Sequence, residues 1–226
     1  MDLRLDNPIW NALTSEQAEL ADRRGPAVRF QPAYTALAGL AFADAGALGE
    51  LGALAADGHT AGLLLEGPIE LPASLVEVAN APVLQMVHDR PAPAMPAGFE
   101  TLGAEDAPAM RALAAETRPG PFSTRTHEMG TFYGLRDERG RVIAMAGQRM
   151  RLPGITEVSA VCTDPTCVGR GYGALLMTAQ LALIRGANRM AFLHVLATND
   201  RAVGLYERLG FRRRRLFHYV IVRAAP

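Results

Sequence analysis

The chain has 226 residues, 49% apolar and 20% charged, with 23 basic residues balanced by 23 acidic ones, a composition that excludes a disordered or collagen-like chain. On a scale of about 150 residues per domain it holds one enlarged domain or two small ones. Every basic residue is Arg, which rules out chemistry through a lysine Schiff base or a Walker A lysine.

No apolar run reaches the roughly 18 residues that span a bilayer, and the opening MDLRLDNPIW has neither the basic start nor the apolar core of a leader. Cys162 and Cys167 are too few for a disulfide framework or a four-ligand zinc site. These features point to a cytoplasmic protein without a membrane partner or a metal. The neutral total hides an asymmetry. Residues 1–95 carry five Arg against twelve carboxylates, a balance of −7, and residues 96–226 carry 18 Arg against 11 carboxylates, a balance of +7. The two halves are expected to attract each other and the second half to attract anions.

Along the first half, the pattern predicts helices over Ser15–Arg24 and Ala47–Ala56 and strands over Ala61–Leu65 and Val83–His88. His59 and His88 stand alone there and read as structural. Three prolines between Pro91 and Pro96 read as an extended connector, so a domain boundary is expected between 95 and 96. A fragment of residues 96–226 is then expected to fold by itself. Beyond the connector the pattern gives a helix over Glu105–Thr117, an irregular loop from Arg118, and strands over Thr131–Leu135, Val142–Met150 and Thr156–Thr163, the first two joined by a turn at Asp137–Gly140. A helix over Gly171–Arg185, a strand over Arg189–Leu196, a helix over Asp200–Leu209 closed by Gly210, and a strand over Leu216–Val222 complete the chain.

The chemistry concentrates in Val161-Cys-Thr-Asp-Pro-Thr-Cys-Val-Gly-Arg-Gly-Tyr-Gly173. A strand that leaves through a proline loop and enters a helix through three alternate glycines bares several backbone N–H groups beside the positive end of the helix dipole. Glycine lets phosphates approach closely, and Arg170 adds charge. Gly169, Gly171 and Ala174 also satisfy the dinucleotide fingerprint G-x-G-x-x-G/A. Only 53 residues follow Gly173, too few for the βαβ domain that fingerprint requires.

The segment Val168-Gly169-Arg170-Gly171-Tyr172-Gly173 resembles the phosphate-binding motif of the GNAT superfamily of acyl-CoA-dependent N-acetyltransferases, with Val168 where the family usually has Arg or Gln. A second segment, Asn199-Asp-Arg-Ala202-Val-Gly-Leu-Tyr206-Glu-Arg-Leu-Gly210-Phe211, is similar to the family's downstream pattern. The resemblance covers residues 96–226. It implies an α+β fold with a mixed central sheet flanked by helices, acetyl-CoA as cosubstrate, and direct acetyl transfer to a primary amine of a small molecule or peptide. A homodimer is left open. Residues 1–95 then form an acidic α/β domain, one reading of which is a degenerate copy of the same fold.

By the same resemblance Tyr206 protonates the departing thiolate, Asn199 reaches the pantetheine arm besides capping its helix, and Val161, Cys162 and Thr163 offer main-chain groups to that arm. Val168 to Ala174 cradle the pyrophosphate. Glu157, expected on one strand face with Ser159 and Val161, is the candidate general base. The loop Thr117–Glu128, with Arg125, His127 and Glu128, is expected to shape the acceptor site. The run Arg212–Arg215 reads as a solvated strand edge or as added attraction for anionic CoA rather than a nucleic-acid surface. The alternative to an enzyme is a catalytically silent CoA-binding regulatory or interaction protein.

Overall fold

Eight strands pair into one sheet that draws on both halves of the chain. In the computed structural model, which describes residues 2–226, the strands, numbered along the chain, lie in the order β4 (Ala61–Leu65), β11 (Arg212–Ala224), β5 (Leu75–His88), β10 (Met190–Leu196), β9 (Ile155–Thr163), β8 (Val142–Leu152), β7 (Phe132–Arg136) and β6 (Glu100–Leu102). A second, antiparallel sheet holds β1 (Ala21–Arg24), β2 (Ala27–Phe30) and β3 (Ala38–Leu40). The α-helices are α1 (Pro8–Leu13), α2 (Ala45–Leu54), α3 (Ala107–Thr117), α4 (Tyr172–Gly186) and α5 (Asp200–Arg208). No helix among the described residues is long and apolar enough to cross a membrane.

The boundary expected at 95/96 falls inside this sheet rather than between two domains. β5 runs antiparallel to β10, from Ala191 opposite His88 to Leu196 opposite Val83, and antiparallel to β11 from Arg212 opposite Val87 to Ala224 opposite Leu75. Nor do residues 2–95 form a self-contained copy of the second half, because two of their strands sit in the shared sheet. The proline-rich connector breaks local structure, as its composition requires, but local composition says nothing about where a strand finds its neighbours.

Each face of the sheet is covered by helices. On one face Met177 and Leu181 of α4 and Val203 and Tyr206 of α5 pack against Met86, Val158 and Leu193. On the other, Met110 and Leu113 of α3 meet Phe132, Met145 and Cys162, while Ile9 and Leu13 of α1 meet Val28, Val87 and Phe192. Phe192 and Met86 are completely buried, and each such side chain contributes about 1.5–3 kcal/mol by leaving water.

Most second-half elements fall where the periodicity places them. The helix expected over Ser15–Arg24 does not form. Pro8 starts α1 earlier, at the position where its missing N–H costs nothing, and Ala21–Arg24 becomes a strand. Between them the buried Gln17 is clamped by β8: its amide donates to the Arg149 carbonyl at 2.8 Å and its side-chain oxygen accepts from the Arg151 N–H at 2.9 Å. That long-range pair overrides a weak local helical tendency.

Acids of the first half and arginines of the second meet as their charges predict. Arg189 binds Glu16 at 2.8 Å, Arg214 binds Asp6 at 2.5 Å, and Arg212 binds Asp89 at 2.8 Å. Arg215 pairs with Glu66, and Arg213 binds Glu207 at 2.7 Å. Arg212 and Arg213 are exposed, as a solvated strand edge requires, while Arg214 and Arg215 are partly covered. Over this run β11 pairs with β5 alone, because β4 joins it only from His218 onward, and every arginine of the run has a carboxylate partner.

Candidate active site

The parallel strands β9 and β10 stay together only from Ile155 opposite Met190 to Glu157 opposite Phe192. Beyond that point β10 continues along β5 to Leu196 and β9 continues along β8 to Thr163, so the two diverge. The wedge between them, at their C-terminal ends, is where ligands enter sheets of this kind. A cavity of about 380 Å³ fills it, lined by Val158–Thr163 on one side and Leu193–Leu196 on the other.

An irregularity in β9 shapes the wedge. The register with β8 shifts between Met145 and Gly147, and opposite the shift Ala160 takes a left-handed conformation at φ +53°, a bulge that re-aims the following side chains. Val158 and Val161 consequently both pack toward α4, while Cys162 packs toward α3. Strict alternation had put Val161 with Glu157 and Ser159, and the bulge removes it from that face.

β9 leaves through a loop in which the Asp164 carboxylate accepts from the Thr166 N–H at 2.8 Å, and α4 then starts at Tyr172. Gly169 at φ +91° and Gly171 at φ +82° are left-handed, and the place where a Cβ would stand at either is open space. No side chain caps α4. Its first N–H groups, unpaired within the helix, therefore face outward beside the positive dipole end, with Arg170 exposed alongside. Val168 is exposed and Ala174 continues the first turn. A diphosphate fits such a surface by charge and by the room the glycines leave.

Tyr206 projects from α5 into the cavity. It is 8% exposed, its ring lies 5.9 Å from that of Phe211, and its hydroxyl bonds to no described residue. Burial, with Cys162 nearby, pushes this hydroxyl up to about 12. Asn199 caps α5, its side chain accepting from the Ala202 N–H at 3.1 Å, and it also lines the cavity. Cys162 is buried against the same space, and burial raises its thiol to about 11, so at neutral pH it is a thiol rather than a thiolate.

Glu157 is completely buried. Its oxygens accept from Arg149 Nε at 2.8 Å and Nη2 at 2.7 Å, and one of them lies 2.8 Å from His194 Nδ1. Burial works to raise its pKa, but the charge and hydrogen bonds of Arg149, aided by His194, outweigh it and hold the value at about 2. A carboxylate so stabilised is a poor proton acceptor, and the expectation that Glu157 is the general base gives way to a structural charge partner. His194 is fixed from its other side. Gln85 accepts from Arg214 at 2.9 Å through its side-chain oxygen, and its amide donates to the Leu5 carbonyl at 3.0 Å and to His194 Nε2 at 3.1 Å. The His194 proton therefore sits on Nδ1, pointing at Glu157.

Of the loop expected to shape the acceptor site, Thr117–Pro121 lines the cavity. Arg125 and Glu128 instead pair with each other at 2.6 Å on the surface, with the Arg125 guanidinium 4.6 Å from the Tyr34 ring centre, and neither they nor His127 lines the cavity. His88 packs on Phe211 and His59 is exposed beside Asp57, both away from it. Arg149, His194 and Tyr219 do line it and carried no motif. Arg149 and Gln85 each interrupt an apolar strand, and that interruption was their only signal.

The comparisons with known proteins agree with this geometry. Residues 132–221 match the family model described as FR47-like protein. A solved structure of a GNAT-family protein from Novosphingobium aromaticivorans DSM 12444 is 38% identical over 100% of both chains, with a TM-score of 0.92. A GCN5-related N-acetyltransferase from Kribbella flavida shares the fold at 22% identity and a TM-score of 0.55, over 95% of this chain and 93% of that one. No curated protein matches the sequence.

Proposed function

The chain belongs to the GNAT family of acetyltransferases, and on that premise we propose that it moves an acetyl group from acetyl-CoA to a primary amine by direct attack. The observation that carries this reading is the Tyr206 hydroxyl, uncommitted to any described residue, in the wedge that opens where β9 and β10 part. Acetyl-CoA supplies an activated thioester and a thiolate leaving group.

The rest is the work of this chain. Gly169, Gly171 and Gly173, with Arg170 and the N–H groups of Tyr172 and Ala174, hold the diphosphate. The edge of β9 from Val161 through Cys162 to Thr163, bared where β10 diverges, offers main-chain donors and acceptors to the pantetheine arm, with Asn199 on the opposite wall. Tyr206, like any tyrosine near neutral pH, carries its proton, and burial only raises its pKa further; it delivers that proton to the departing sulfur. A positioned acid of this kind contributes about 10²–10⁴-fold. Among the described residues lining the cavity none is Asp or Glu, so the amine attacks in its free-base form without a carboxylate base. Glu157 serves by holding Arg149 and His194 in place. The raised pKa of Cys162 argues against an acyl-cysteine step.

The test follows free thiol from acetyl-CoA across a panel of amines, with the acetylated product identified by mass spectrometry. Saturable, amine-dependent thiol release with acetylated amine is expected. Acetyl-CoA that fails to bind, or thiol release without any acetylated amine, overturns the reading.

A further inference from the structure

Resting on the acetyl-transfer reading above, we propose that the acceptor is an amine bearing a carboxylate, of amino-acid size, whose carboxylate is bound by Arg149 and Tyr219 with Arg118 at the mouth of the cavity. All three residues line the cavity that Tyr206 enters.

The Arg149 side chain is only 9% exposed. Its Nε and Nη2 are spent on Glu157, while Nη1 donates to no described residue and lies under the loop at Gly120. Both N–H groups of that nitrogen are left for a ligand. The Tyr219 hydroxyl is buried without a hydrogen-bond partner, an uncommon condition for a phenol. Its ring is seated over Gly62, where any Cβ would collide with it, so a glycine in β4 makes room for this hydroxyl. Arg118, left-handed at the C-terminus of α3, is exposed and makes no ion pair among the described residues.

The balance of donors and acceptors selects the ligand. The cavity wall carries two arginines and an orphaned phenol and no Asp or Glu among the described residues, and both Glu157 oxygens are turned to Arg149 and His194. A second ammonium, as in a polyamine, finds no partner here, whereas a carboxylate satisfies the Nη1 donors and the Tyr219 hydroxyl together. Arg is suited to planar carboxylates by the fork of its N–H groups. The cavity, about 380 Å³, must also admit the thioester end of the donor, which limits the acceptor to a small molecule.

The experiment compares glycine, β-alanine and γ-aminobutyrate with their amides and with alkylamines of equal length, at equal free-base concentration, reading thiol release. At least one amino acid is expected to exceed its amide in kcat/KM by about tenfold or more, the scale of a hydrogen bond to a charged group. Tyr219→Phe and Arg118→Gln are expected to narrow that ratio chiefly through KM for the amino acid. Arg149 is left intact, because its loss strands a buried carboxylate. Amides or alkylamines turned over as well as the amino acids overturn the carboxylate proposal and leave acetyl transfer standing. Absence of acetyl-CoA binding by calorimetry overturns both. A ratio that neither substitution alters overturns the assignment of these two residues.

Discussion

Glu157 of β9 and Arg149 of β8 hold each other through two hydrogen bonds of 2.8 and 2.7 Å, with Glu157 wholly out of water. Removing one partner of such a buried pair leaves the other charge uncompensated, at a cost of about 3–5 kcal/mol. Glu157→Gln is therefore expected to lower the unfolding free energy by an amount in that range, read from denaturant titration. The pair also sets an acid limit. The folded-state pKa of Glu157 is depressed to about 2 from 4.5, so its contribution is fully present above about pH 4.5 and is lost as the pH falls through about 2. Denaturant titrations from pH 6 to pH 2 are expected to show a steeper loss in the wild type than in Glu157→Gln. Parallel curves show that the pair does not govern this range.

Gly171 occupies φ +82° at the entrance to α4. A β-branched residue is strained there and its side chain covers the N–H groups that the diphosphate needs. Gly171→Val is expected to weaken CoA binding by about 2 kcal/mol or more, read by calorimetry on a variant shown to be folded. NAD, titrated in parallel, is expected not to bind. Unchanged CoA affinity removes the loop from the binding site.

Tyr206→Phe deletes a hydroxyl that bonds to no described residue, so packing on Phe211 is retained. If the hydroxyl protonates the leaving sulfur, kcat falls by roughly tenfold to a thousandfold while KM for acetyl-CoA barely moves. With this hydroxyl raised to about 12, no loss of activity from its ionisation is expected up to pH 10. A variant with wild-type kcat reduces Tyr206 to packing.

The fragment of residues 96–226 is expected to fail to fold as a monomer, contrary to what the proline-rich connector suggests. Removing β5 strips β10 and β11 of the neighbour between them and exposes Phe192 and Phe217, both now buried. Circular dichroism and size exclusion decide this: a cooperative monomeric fragment that binds CoA restores an independent second domain.

The elements around the glycine loop before α4 were legible because their signals are local. A left-handed turn demands glycine at 169 and 171, an amphipathic period marks α4, and Gly210, at φ +96°, ends α5 within a turn of Tyr206. These constraints act over a few residues and leave their mark wherever they act. The role given to Glu157 failed for the opposite reason. Strand position made it a candidate base, and nothing near it in sequence showed that Arg149 and His194 would close around it.

Only tertiary structure decided that β5 lies between β10 and β11, that Gln17 pins the segment before β1 to β8, and that Gln85, 109 residues from His194, fixes its tautomer. Strand pairing and charge burial are energies of the whole fold. A backbone edge pairs with whatever unpaired edge is brought to it, and a buried charge is tolerated only beside its neutralising partner. The sequence by itself determined the glycine loop before α4 and the succession of helices and strands around it. The long-range closure of the sheet determined the wedge, the orphaned Tyr219 hydroxyl and the unspent nitrogen of Arg149, because each depends on which strands meet rather than on what any one strand contains.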